Sequence, residues 1–443
     1  MIDGLSHDNE SAPRDHRQQS RDIFPNIIRA ENITNPIFIR PRGNPHLLCV
    51  GGEDHHLRIP FLLALRERGF RVTAAGSGDG AGFIRHGIEF HPFHFDRFVN
   101  PRADRSAIDA LTALLVKTRP DIVQSFDTKP NLLTPFAARQ LPGIHVVRTI
   151  NGLGQVYSSR SATAMALRLI FPALHRAAAR FTALTIFQNR DDQTFFDSHR
   201  MTGKGRSRLI PGSGVDIEGF ERAVLSAPSS EQIRHELNLG GSKIVLTVTR
   251  MTRQKGIPTL LAAAALVNSV RPDVRFLLVG PREGEGSSAV PEADISRHAP
   301  YVIPLGMRSD IPALLGLSDV FAFPTEYREG VPRVLLEAAL ANLPIVTTNM
   351  PGCTDVVTDR SSGFVVPPRD PALLAARILD MLRDGEAART MARLAGALVR
   401  REFGLQLTAD RYAEAYNELI NPSALRDFDQ NAIHPASPQE ART

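Results

Sequence analysis

Short apolar runs alternate along this chain with segments of helical spacing, and this alternation restricts the possible folds more than any other feature. Four runs in the first half predict strands: HLLCVGG, FRVTAAG, DIVQSF and IHVVRTI. Helical segments separate them, among them LRIPFLLALRERG and SAIDALTALLVKTRP. Strands this short and this apolar are typical of a parallel sheet buried on both faces. The pattern therefore predicts a doubly wound α/β sheet covered by helices on both sides.

The same alternation begins again in the second half. Six more runs predict strands: SKIVLTVTRM, VRFLLVGP, YVIPLG, DVFAFPT, PIVTTN and GFVVPP. The passage LIPGSGVDIEGF precedes them and predicts a domain boundary near residue 216. We therefore expect two Rossmann-like domains, 45–215 and 216–404, that face each other across a cleft. Ligands bind such sheets at the carboxyl ends of the strands.

The two ends of the chain lack this pattern. Residues 1–44 and 422–443 are polar and without periodic apolar positions, so we expect both to be mobile. The chain starts without the apolar core of a secretory signal, and no run of about eighteen apolar residues predicts a membrane span. Cys49 and Cys353 are too few for a disulfide framework. These features favour a cytoplasmic protein, with a peripheral position on the inner membrane as the alternative.

The basic residues are almost all arginine. The net charge is +5, and only five of the 52 basic residues are lysine. Arginine binds phosphate through paired hydrogen bonds, which would suit a phosphate-bearing partner. A genome-wide coding bias explains the same excess without any partner, so no nucleic-acid partner is predicted.

The segment PTEYREGVPRVLLEAALANLPIV, residues 324–346, contains two glutamates in unusual settings. Glu337 lies in an apolar run, where a carboxylate is costly to bury without a partner. Glu329 lies eight positions earlier, in the loop before a helix whose first turn tolerates Pro332. At ~100° per residue the two would not share a helix face. Glu329 is therefore expected to reach over the helix start from the loop.

Two roles are open for Glu337. Carboxylates accept hydrogen bonds from neighbouring hydroxyl groups, so Glu329 and Glu337 would suit one ligand that carries a vicinal diol. Alternatively, Glu337 forms a structural salt bridge with Arg333, four residues before it on the helix.

Arg250 and Lys255 follow the first strand of the second domain. Arg250 ends that strand, and Lys255 lies just before Gly256 and a helix. Two cations beside a helix N-terminus suit a diphosphate. Solvated loop charges would give the same pattern.

Glycines follow two strands of the first domain. Gly51 and Gly52 end the first strand, where backbone amides can approach a phosphate or a sugar, although a steric turn is equally consistent. The run GSGDGAG at 76–82 follows the second strand and precedes no long helix, which favours a turn over a dinucleotide-binding loop.

Several motifs together resemble the retaining GT-B glycosyltransferases. Those of the second half are EGVPRVLLEA, RMTRQKGI, VGP, LGMRSDIPALLGLSDVFAFPT and LPIVTTNMPG. Those of the first half include RTINGLGQVY, IFQNRDDQTFF and LIPGSGVD. They are similar to the bacterial branch that includes diacetylbacillosaminyl-diphospho-undecaprenol N-acetylgalactosaminyltransferase. The resemblance covers approximately residues 46–420.

This resemblance implies a GT-B fold and a hexosyltransferase of surface-polysaccharide assembly. The donor would be a nucleotide sugar, with a UDP-sugar favoured, and the acceptor a sugar linked to polyprenyl diphosphate. Retaining transfer would proceed without a dedicated general base, because a diphosphate oxygen takes the proton of the attacking hydroxyl. Residues 405–421 are expected to form a helix that packs back on the first domain.

The resemblance also implies roles for individual residues in binding the nucleotide. Glu337 would hold the ribose hydroxyls, and the backbone of Met307 and Arg308 would hold the base. Arg250 and Lys255 would bind the diphosphate and stabilise its charge as it leaves.

Other roles concern the transferred sugar. Glu329 would contact it, with the backbone of Gly330 and Val331 nearby. Gly51 and Gly52 would form the facing loop of the first domain.

Two positions depart from the family pattern. Many relatives have a second glycine where Pro332 stands, and many have a histidine where Asn151 stands. Asn151 can hydrogen-bond a donor hydroxyl but cannot act as an acid or base near neutral pH. The resemblance implies no bound metal, and the Asp427–Asp429 pair is discounted because it lies in the polar tail.

The run SATAMALRLIFPALHRAAARF predicts a membrane-facing helix or a core helix rimmed with arginine. Arg168, Arg176 and Arg180 lie among apolar residues, a basic amphipathic pattern that suits an anionic membrane surface. Pro172 is expected to interrupt the helix.

Two other functions stay open at this point. A nucleotide-sugar epimerase on the same fold would need ionisable groups near the sugar ring and would act without an acceptor. A non-catalytic scaffold that binds sugar nucleotides would not need all of Glu329, Glu337, Arg250 and Lys255.

Overall fold

The computed structural model of the chain describes residues 43–52, 55–96, 100–159, 161–203 and 205–421. The predictions for the two ends and for Asp427 and Asp429 therefore lie outside the described residues, apart from residues 43 and 44. No helix in the described ranges combines the length and the apolar content needed to cross a membrane.

Strands and helices alternate along the described residues. The strands are β1 His46–Val50, β2 Arg71–Gly76, β3 Glu89–Pro92, β4 Ile122–Ser125, β5 His145–Ile150, β6 Leu184–Phe187, β7 Arg206–Leu209, β8 Lys243–Val248, β9 Val274–Val279, β10 Val302–Gly306, β11 Val320–Phe323, β12 Ile345–Thr348 and β13 Phe364–Val366. The helices are α1 Ile59–Glu67, α2 Ala81–Arg85, α3 Pro101–Thr118, α4 Thr128–Ala138, α5 Gly154–Ser158, α6 Ala162–Ala179, α7 Arg190–Ser198, α8 Ile217–Leu225, α9 Ser230–Glu236, α10 Ile257–Val270, α11 Glu292–Ser296, α12 Ile311–Leu317, α13 Arg333–Leu340, α14 Pro371–Arg383, α15 Gly385–Glu402 and α16 Leu405–Ile420.

The strands form two parallel sheets. The first has the order β3-β2-β1-β4-β5-β6-β7 and the second the order β10-β9-β8-β11-β12-β13. The central strands are buried along nearly their whole length, because helices cover both faces. The predicted α/β class with two Rossmann-like domains is confirmed.

The strand order of each sheet reverses at one point. In the first sheet the chain runs from β1 to one edge and returns to pair β4 with β1. In the second sheet it pairs β11 with β8 in the same way. A crevice opens at the carboxyl ends of the strands at such a switch point, and ligands bind there.

Three strands of the first sheet were not predicted. β3 and β7 form the two edges of that sheet, and most of their side chains are exposed or half-buried. These two edge strands therefore lack the apolar run that marks a buried strand. β6, with the sequence LTIF, is fully buried but only four residues long.

The chain crosses between the two sheets at adjacent points. Val215 N donates to Phe403 O at 2.9 Å, and Leu405 N donates to Val215 O at 2.9 Å. α16 then packs on α1 of the first domain, where the Tyr412 ring contacts the Phe61 ring edge-to-face at 4.9 Å between centroids. The last described helix is thus joined to the first sheet and not to the second.

Candidate active site

The loops that follow β8 and β11 meet at the switch point of the second sheet. Arg250 and Lys255 lie in the loop after β8, and Glu329 lies in the loop after β11. Because these strands are hydrogen-bonded neighbours, their loops leave the sheet side by side.

Lys255 and Glu329 form an ion pair at this point. Lys255 Nζ lies 2.5 Å from Glu329 Oε1, and both side chains are largely shielded from solvent. The ammonium group also lies 5.1 Å from the centroid of the Tyr327 ring, within the range of cation–π attraction. Lys255, the residue predicted to bind the diphosphate, is thus in contact with Glu329, the residue predicted to contact the sugar.

Gly256 allows this close approach. Its φ of 73° lies in the left-handed region, and a Cβ at this position would lie 1.8 Å from Pro324 O. Any other residue would collide with the backbone that follows β11. The glycine therefore sets the position of Lys255 relative to the loop that carries Glu329.

Arg250 has a different partner. Its Nη1 donates to both carboxylate oxygens of Glu285, at 3.1 and 3.3 Å. The Arg250 side chain is 42% exposed, so its ion pair is weak and open to exchange.

Glu337 lies between buried residues on α13 and is paired with Arg333. Arg333 Nε donates to Glu337 Oε1 at 2.9 Å, which is the salt bridge considered as the alternative for this carboxylate. Burial raises the pKa of Glu337, and the neighbouring Arg333 opposes this rise. Arg333 is 47% exposed, against 17% for the Glu337 side chain, so the arginine can turn towards solvent, but the buried carboxylate then needs other hydrogen-bond donors in its place. Pro332 was predicted to lie in the first turn of this helix, but it lies at the N-cap, one residue before α13 begins.

Met307 and Arg308 follow β10. Met307 is 78% exposed. The Arg308 guanidinium donates to both carboxylate oxygens of Asp310 and to Glu236 Oε1, and these hydrogen bonds raise its pKa. Because the Arg308 guanidinium is already hydrogen-bonded, this loop would bind a ligand through its backbone.

Gly330 and Val331 connect Glu329 to α13. A Cβ on residue 330 would lie 2.0 Å from Gln188 Oε1, and one on Gly352 would lie 1.8 Å from Gly330 O. Backbone and side chains therefore enclose Gly330 from two sides. The Val331 side chain belongs to the hydrophobic core of the second domain, which leaves its backbone for a ligand.

Gly51 and Gly52 lie at the switch point of the first sheet. Gly51 N donates to Ala75 O at 3.0 Å, and Gly52 N donates to Asp127 Oδ2 at 3.1 Å. A Cβ on residue 51 would lie 2.0 Å from His55 Nδ1. Both amides have protein acceptors, so the steric alternative accounts for these glycines.

Asp127 links three segments of the first domain. Its Oδ2 accepts from Gly52 after β1, and its Oδ1 accepts from Asn151 Nδ2 after β5 at 3.3 Å. Asp127 itself follows β4 with φ 68° and ψ 161°. Residues other than glycine adopt this conformation at a cost of about 1–3 kcal/mol, and such strain is concentrated at functional sites.

The segment after β5 also contacts the second domain. Gly154 N donates to Arg328 O at 3.2 Å, and a Cβ on Gly152 would lie 2.5 Å from the same oxygen. The segments that carry Asn151 and Glu329 are therefore in direct contact. Asn151 is bonded to Asp127 of the first domain, and Glu329 is bonded to Lys255 of the second.

Two residues at this contact were not among the predicted site residues. Asp127 directly follows the predicted strand DIVQSF, the same signal that identified Arg250, and could have been found in this way. Asn189 donates from Nδ2 to Glu329 O and Gly330 O, but it follows the short strand β6, which was not predicted.

The basic amphipathic run forms α6. Pro172 does not interrupt this helix, because Phe171 and His175 on either side of it are buried in the domain. Arg168 donates to three backbone carbonyls of residues 156–159, so only Arg176 and Arg180 are free of that loop. The helix leaves an apolar exposed face, in which Leu169 is 83% and Met165 58% exposed.

Among the residues that the structure describes, no three His, Cys, Asp or Glu side chains are grouped so as to hold a metal ion.

Two protein families match the two halves of the chain. The Glycosyltransferase Family 4 domain matches residues 61–202, and the Glycosyl transferases group 1 domain matches residues 229–396. The first match spans β2 to β6 of the first sheet, the second spans all six strands of the second sheet, and both end short of the crossing points.

Several characterised proteins are similar in sequence. The chain is 26% identical to the N,N'-diacetylbacillosaminyl-diphospho-undecaprenol α-1,3-N-acetylgalactosaminyltransferase of Campylobacter jejuni, over 84% of this chain and 97% of that protein. It is 30% identical to the UDP-Gal:α-D-GlcNAc-diphosphoundecaprenol α-1,3-galactosyltransferase of Escherichia coli, over 60% of this chain and 67% of that protein. It is 25% identical to the capsular polysaccharide biosynthesis glycosyltransferase CapM of Staphylococcus aureus, over 81% and 93% respectively.

A solved structure shares the arrangement of both domains. The Anabaena protein HepE, crystallised in complex with UDP-glucose, superposes with a TM-score of 0.68 at 20% identity, over 84% of this chain and 99% of that one. Such a likeness concerns the fold alone. Together with the two family matches and the E. coli relative, it shows that the chain belongs to the GT-B glycosyltransferases, with a Family 4 amino-terminal domain and a group 1 carboxyl-terminal domain.

Proposed function

We propose that the protein is a retaining hexosyltransferase that moves a hexose or N-acetylhexosamine from a nucleotide sugar to a sugar linked to polyprenyl diphosphate. The observation that carries this proposal is that the switch points of the two sheets meet. The Lys255–Glu329 pair lies at the switch point of the second sheet, and residues 151–154 connect its loop to Asp127 at the switch point of the first sheet. The C. jejuni and E. coli relatives are both named for diphospho-undecaprenol acceptors, which supports a lipid-linked acceptor in polysaccharide assembly. The UDP-Gal donor of the E. coli relative favours a UDP-sugar.

The nucleoside would lie along the carboxyl edge of the second sheet. Glu337 would accept hydrogen bonds from the ribose hydroxyls and exchange its bond to the half-exposed Arg333 for them. The backbone at Met307, a residue that is 78% exposed, and at Arg308 would hold the base.

Lys255 and Arg250 would stabilise the diphosphate as it leaves. During transfer the bond from the anomeric carbon to the diphosphate oxygen breaks, and a bond to the acceptor hydroxyl oxygen forms on the same face. The hydroxyl proton passes to a diphosphate oxygen, so that a nucleoside diphosphate and a glycoside result. Two cations held near developing negative charge are a strong electrostatic contribution to catalysis. Glu329, bonded to Lys255, would orient the sugar above them.

We also propose that no metal ion is needed, because Arg250 and Lys255 supply the positive charge that a divalent cation would otherwise provide. Activity that is unchanged in the presence of EDTA is the expected result. Loss of activity with EDTA, restored by Mg²⁺ or Mn²⁺, would contradict this part of the proposal.

The exposed face of α6 would rest on an anionic membrane surface that carries the acceptor. This face of the helix presents Met165 and Leu169 to solvent, and the basic residues Arg176 and Arg180 follow on the same side at its end. Apolar side chains beside arginines match the acyl chains and headgroups of anionic lipids. We propose that the protein binds the cytoplasmic face of the inner membrane in this way.

Vesicle flotation tests the membrane proposal. Wild type should float with phosphatidylglycerol vesicles, and the Leu169→Ser/Arg176→Ser/Arg180→Ser variant should not. The matched control is Leu225→Ser, which changes another highly exposed leucine, 87% exposed, on α8 of the second domain. Equal flotation of wild type and the triple variant would show that α6 is not the contact.

An assay with a panel of UDP- and GDP-sugars, with and without polyprenyl-diphosphate-linked sugar, tests the function. We expect product only when the lipid acceptor is present, and NMR of the product should show the anomeric configuration of the donor. A donor changed without acceptor would indicate an epimerase, and binding without turnover a scaffold. A product of inverted configuration would contradict retention.

A further inference from the structure

The backbone of residues 328–330 is held by side chains and backbone of the first domain. Arg328 N donates to Ser158 Oγ at 2.9 Å, and Arg328 O accepts from Gly154 N at 3.2 Å. Arg328 belongs to the loop that follows β11, yet both of these hydrogen-bond partners lie on α5. The peptide that carries Glu329 is thus anchored by the other domain.

Asn189 contacts the backbone of Glu329 directly. Its Nδ2 donates to Glu329 O at 3.1 Å and to Gly330 O at 3.2 Å, and its side chain is fully buried. The same Nδ2 donates its other hydrogen to Asp192 Oδ2 at 2.8 Å. Because both hydrogens are engaged, the amide has one orientation, and that orientation fixes the two carbonyls.

The surroundings leave this peptide little freedom. Gln188 Oε1 and Gly352 enclose Gly330 so closely that a Cβ would collide at either glycine. Asp192, fully buried, lies 3.5 Å from Arg328 Nη2. The segment is therefore held at its backbone and at the Arg328 side chain.

We propose that Asn189 is a positioning residue for sugar transfer: it fixes the Glu329–Gly330 peptide so that the Glu329 carboxylate lies beside Lys255. This inference rests on the proposed function, because it assigns Glu329 to the donor sugar. The nucleoside contacts at Glu337 and Arg308 lie on other elements of the second domain. Loss of the Asn189 contact should therefore affect transfer and leave nucleotide affinity unchanged.

Asn189 also caps α7, so a variant that tests the positioning role must keep this cap. Asn189 Oδ1 accepts from Asp192 N at 2.8 Å and so caps α7. Serine is an equally good N-cap but has no N–H to donate to the carbonyls of residues 329 and 330. The Asn189→Ser variant therefore retains the cap and removes the contact. Asn100→Ser is the matched control, since Asn100 caps α3 through the same type of bond and its Nδ2 donates to the carboxylate of Asp96.

Amide hydrogen exchange tests the contact without any assay of activity. In Asn189→Ser, exchange in a peptide that covers residues 326–334 should be about tenfold faster than in wild type, whereas Asn100→Ser should match wild type there. Ser158→Ala, which loses only the bond to Arg328 N, should show a smaller increase and serves if Asn189→Ser does not fold. Unchanged exchange in both Asn189→Ser and Ser158→Ala would overturn the proposed anchoring.

Kinetics test the consequence for transfer. We expect kcat of Asn189→Ser to fall by about 10- to 50-fold, while the Kd for UDP stays within about twofold of wild type. Faster exchange with unchanged kcat would overturn the positioning role while leaving the proposed function intact. If wild type transfers no sugar from any donor, the proposed function is wrong, and the positioning role is wrong with it. Hydrogen exchange still tests, independently of activity, whether Asn189 anchors the Glu329–Gly330 peptide.

Discussion

The two sheets have the same strand order around their switch points but different chemistry there. In the second sheet, the loops after the paired strands β8 and β11 contribute the ion pair of Lys255 and Glu329. In the first sheet, the loops after β1 and β4 contribute a Gly52 amide hydrogen-bonded to the Asp127 carboxylate. One topology thus places a cation at one switch point and a carboxylate that accepts hydrogen bonds at the other.

This difference suggests a division of labour between the domains. The cationic edge would bind and release the donor, and the Asp127 edge would orient the acceptor. Substitutions at the two edges should therefore change different kinetic constants.

The largest effect is expected for Lys255→Ala. Without the ammonium group the leaving diphosphate loses a partly buried, charge-assisted contact, so kcat/KM for the donor should fall by about 100- to 1,000-fold. Lys243→Ala is the control, because Lys243 begins β8, at the opposite end from this site, and pairs with Asp319. Steady-state kinetics in which Lys255→Ala stays within about threefold of wild type would remove this residue from the site.

A smaller effect is expected for Glu337→Ala. Loss of the ribose contact should raise the donor KM by about 10- to 100-fold, the effect of one or two hydrogen bonds to a charged group. The control is Glu218→Ala, since Glu218 forms an exposed i,i+4 ion pair with Arg222 on α8. If both substitutions change the donor KM equally, Glu337 forms only a structural salt bridge.

Asp127→Asn should affect the acceptor. A neutral amide cannot accept from both Gly52 and Asn151 as the carboxylate does, so the acceptor KM should rise by about tenfold while the donor KM stays constant. Asp109→Asn, on an exposed pair with Arg105, is the control. A rise in the donor KM alone would contradict the division between the two edges.

The smallest effect concerns pH. Burial raises the pKa of Glu337, and only the ionised form accepts hydrogen bonds at both of its oxygens. Donor affinity should therefore decrease as the pH falls through the raised pKa, and the donor KM should increase by about three- to tenfold at its acidic limit. In Glu337→Gln this acidic dependence should disappear. An identical pH profile for both proteins would show that another group titrates.

The fold could be predicted because its signal is local. Buried parallel strands such as β1 and β8 appear as apolar runs, whereas the edge strands β3 and β7 carry polar side chains that hide them. The buried strand β6 was missed, although it is no shorter than β4 and β11, which were predicted.

The site was predictable in part for the same reason. Lys255 and Glu329 each follow an apolar strand, and the first of these positions is marked by the adjacent Gly256. Their partners across the cleft were not predictable, because the contact of Asn189 with the Glu329 backbone depends on how two domains meet. The pairing of Arg250 with Glu285 likewise depends on which loops are neighbours.

A crystal structure with bound UDP tests the central claim most directly. We predict the diphosphate within hydrogen-bonding distance of Lys255 Nζ and the ribose hydroxyls on the Glu337 carboxylate. A nucleotide bound elsewhere, with Glu337 still bonded to Arg333 alone, would contradict the account.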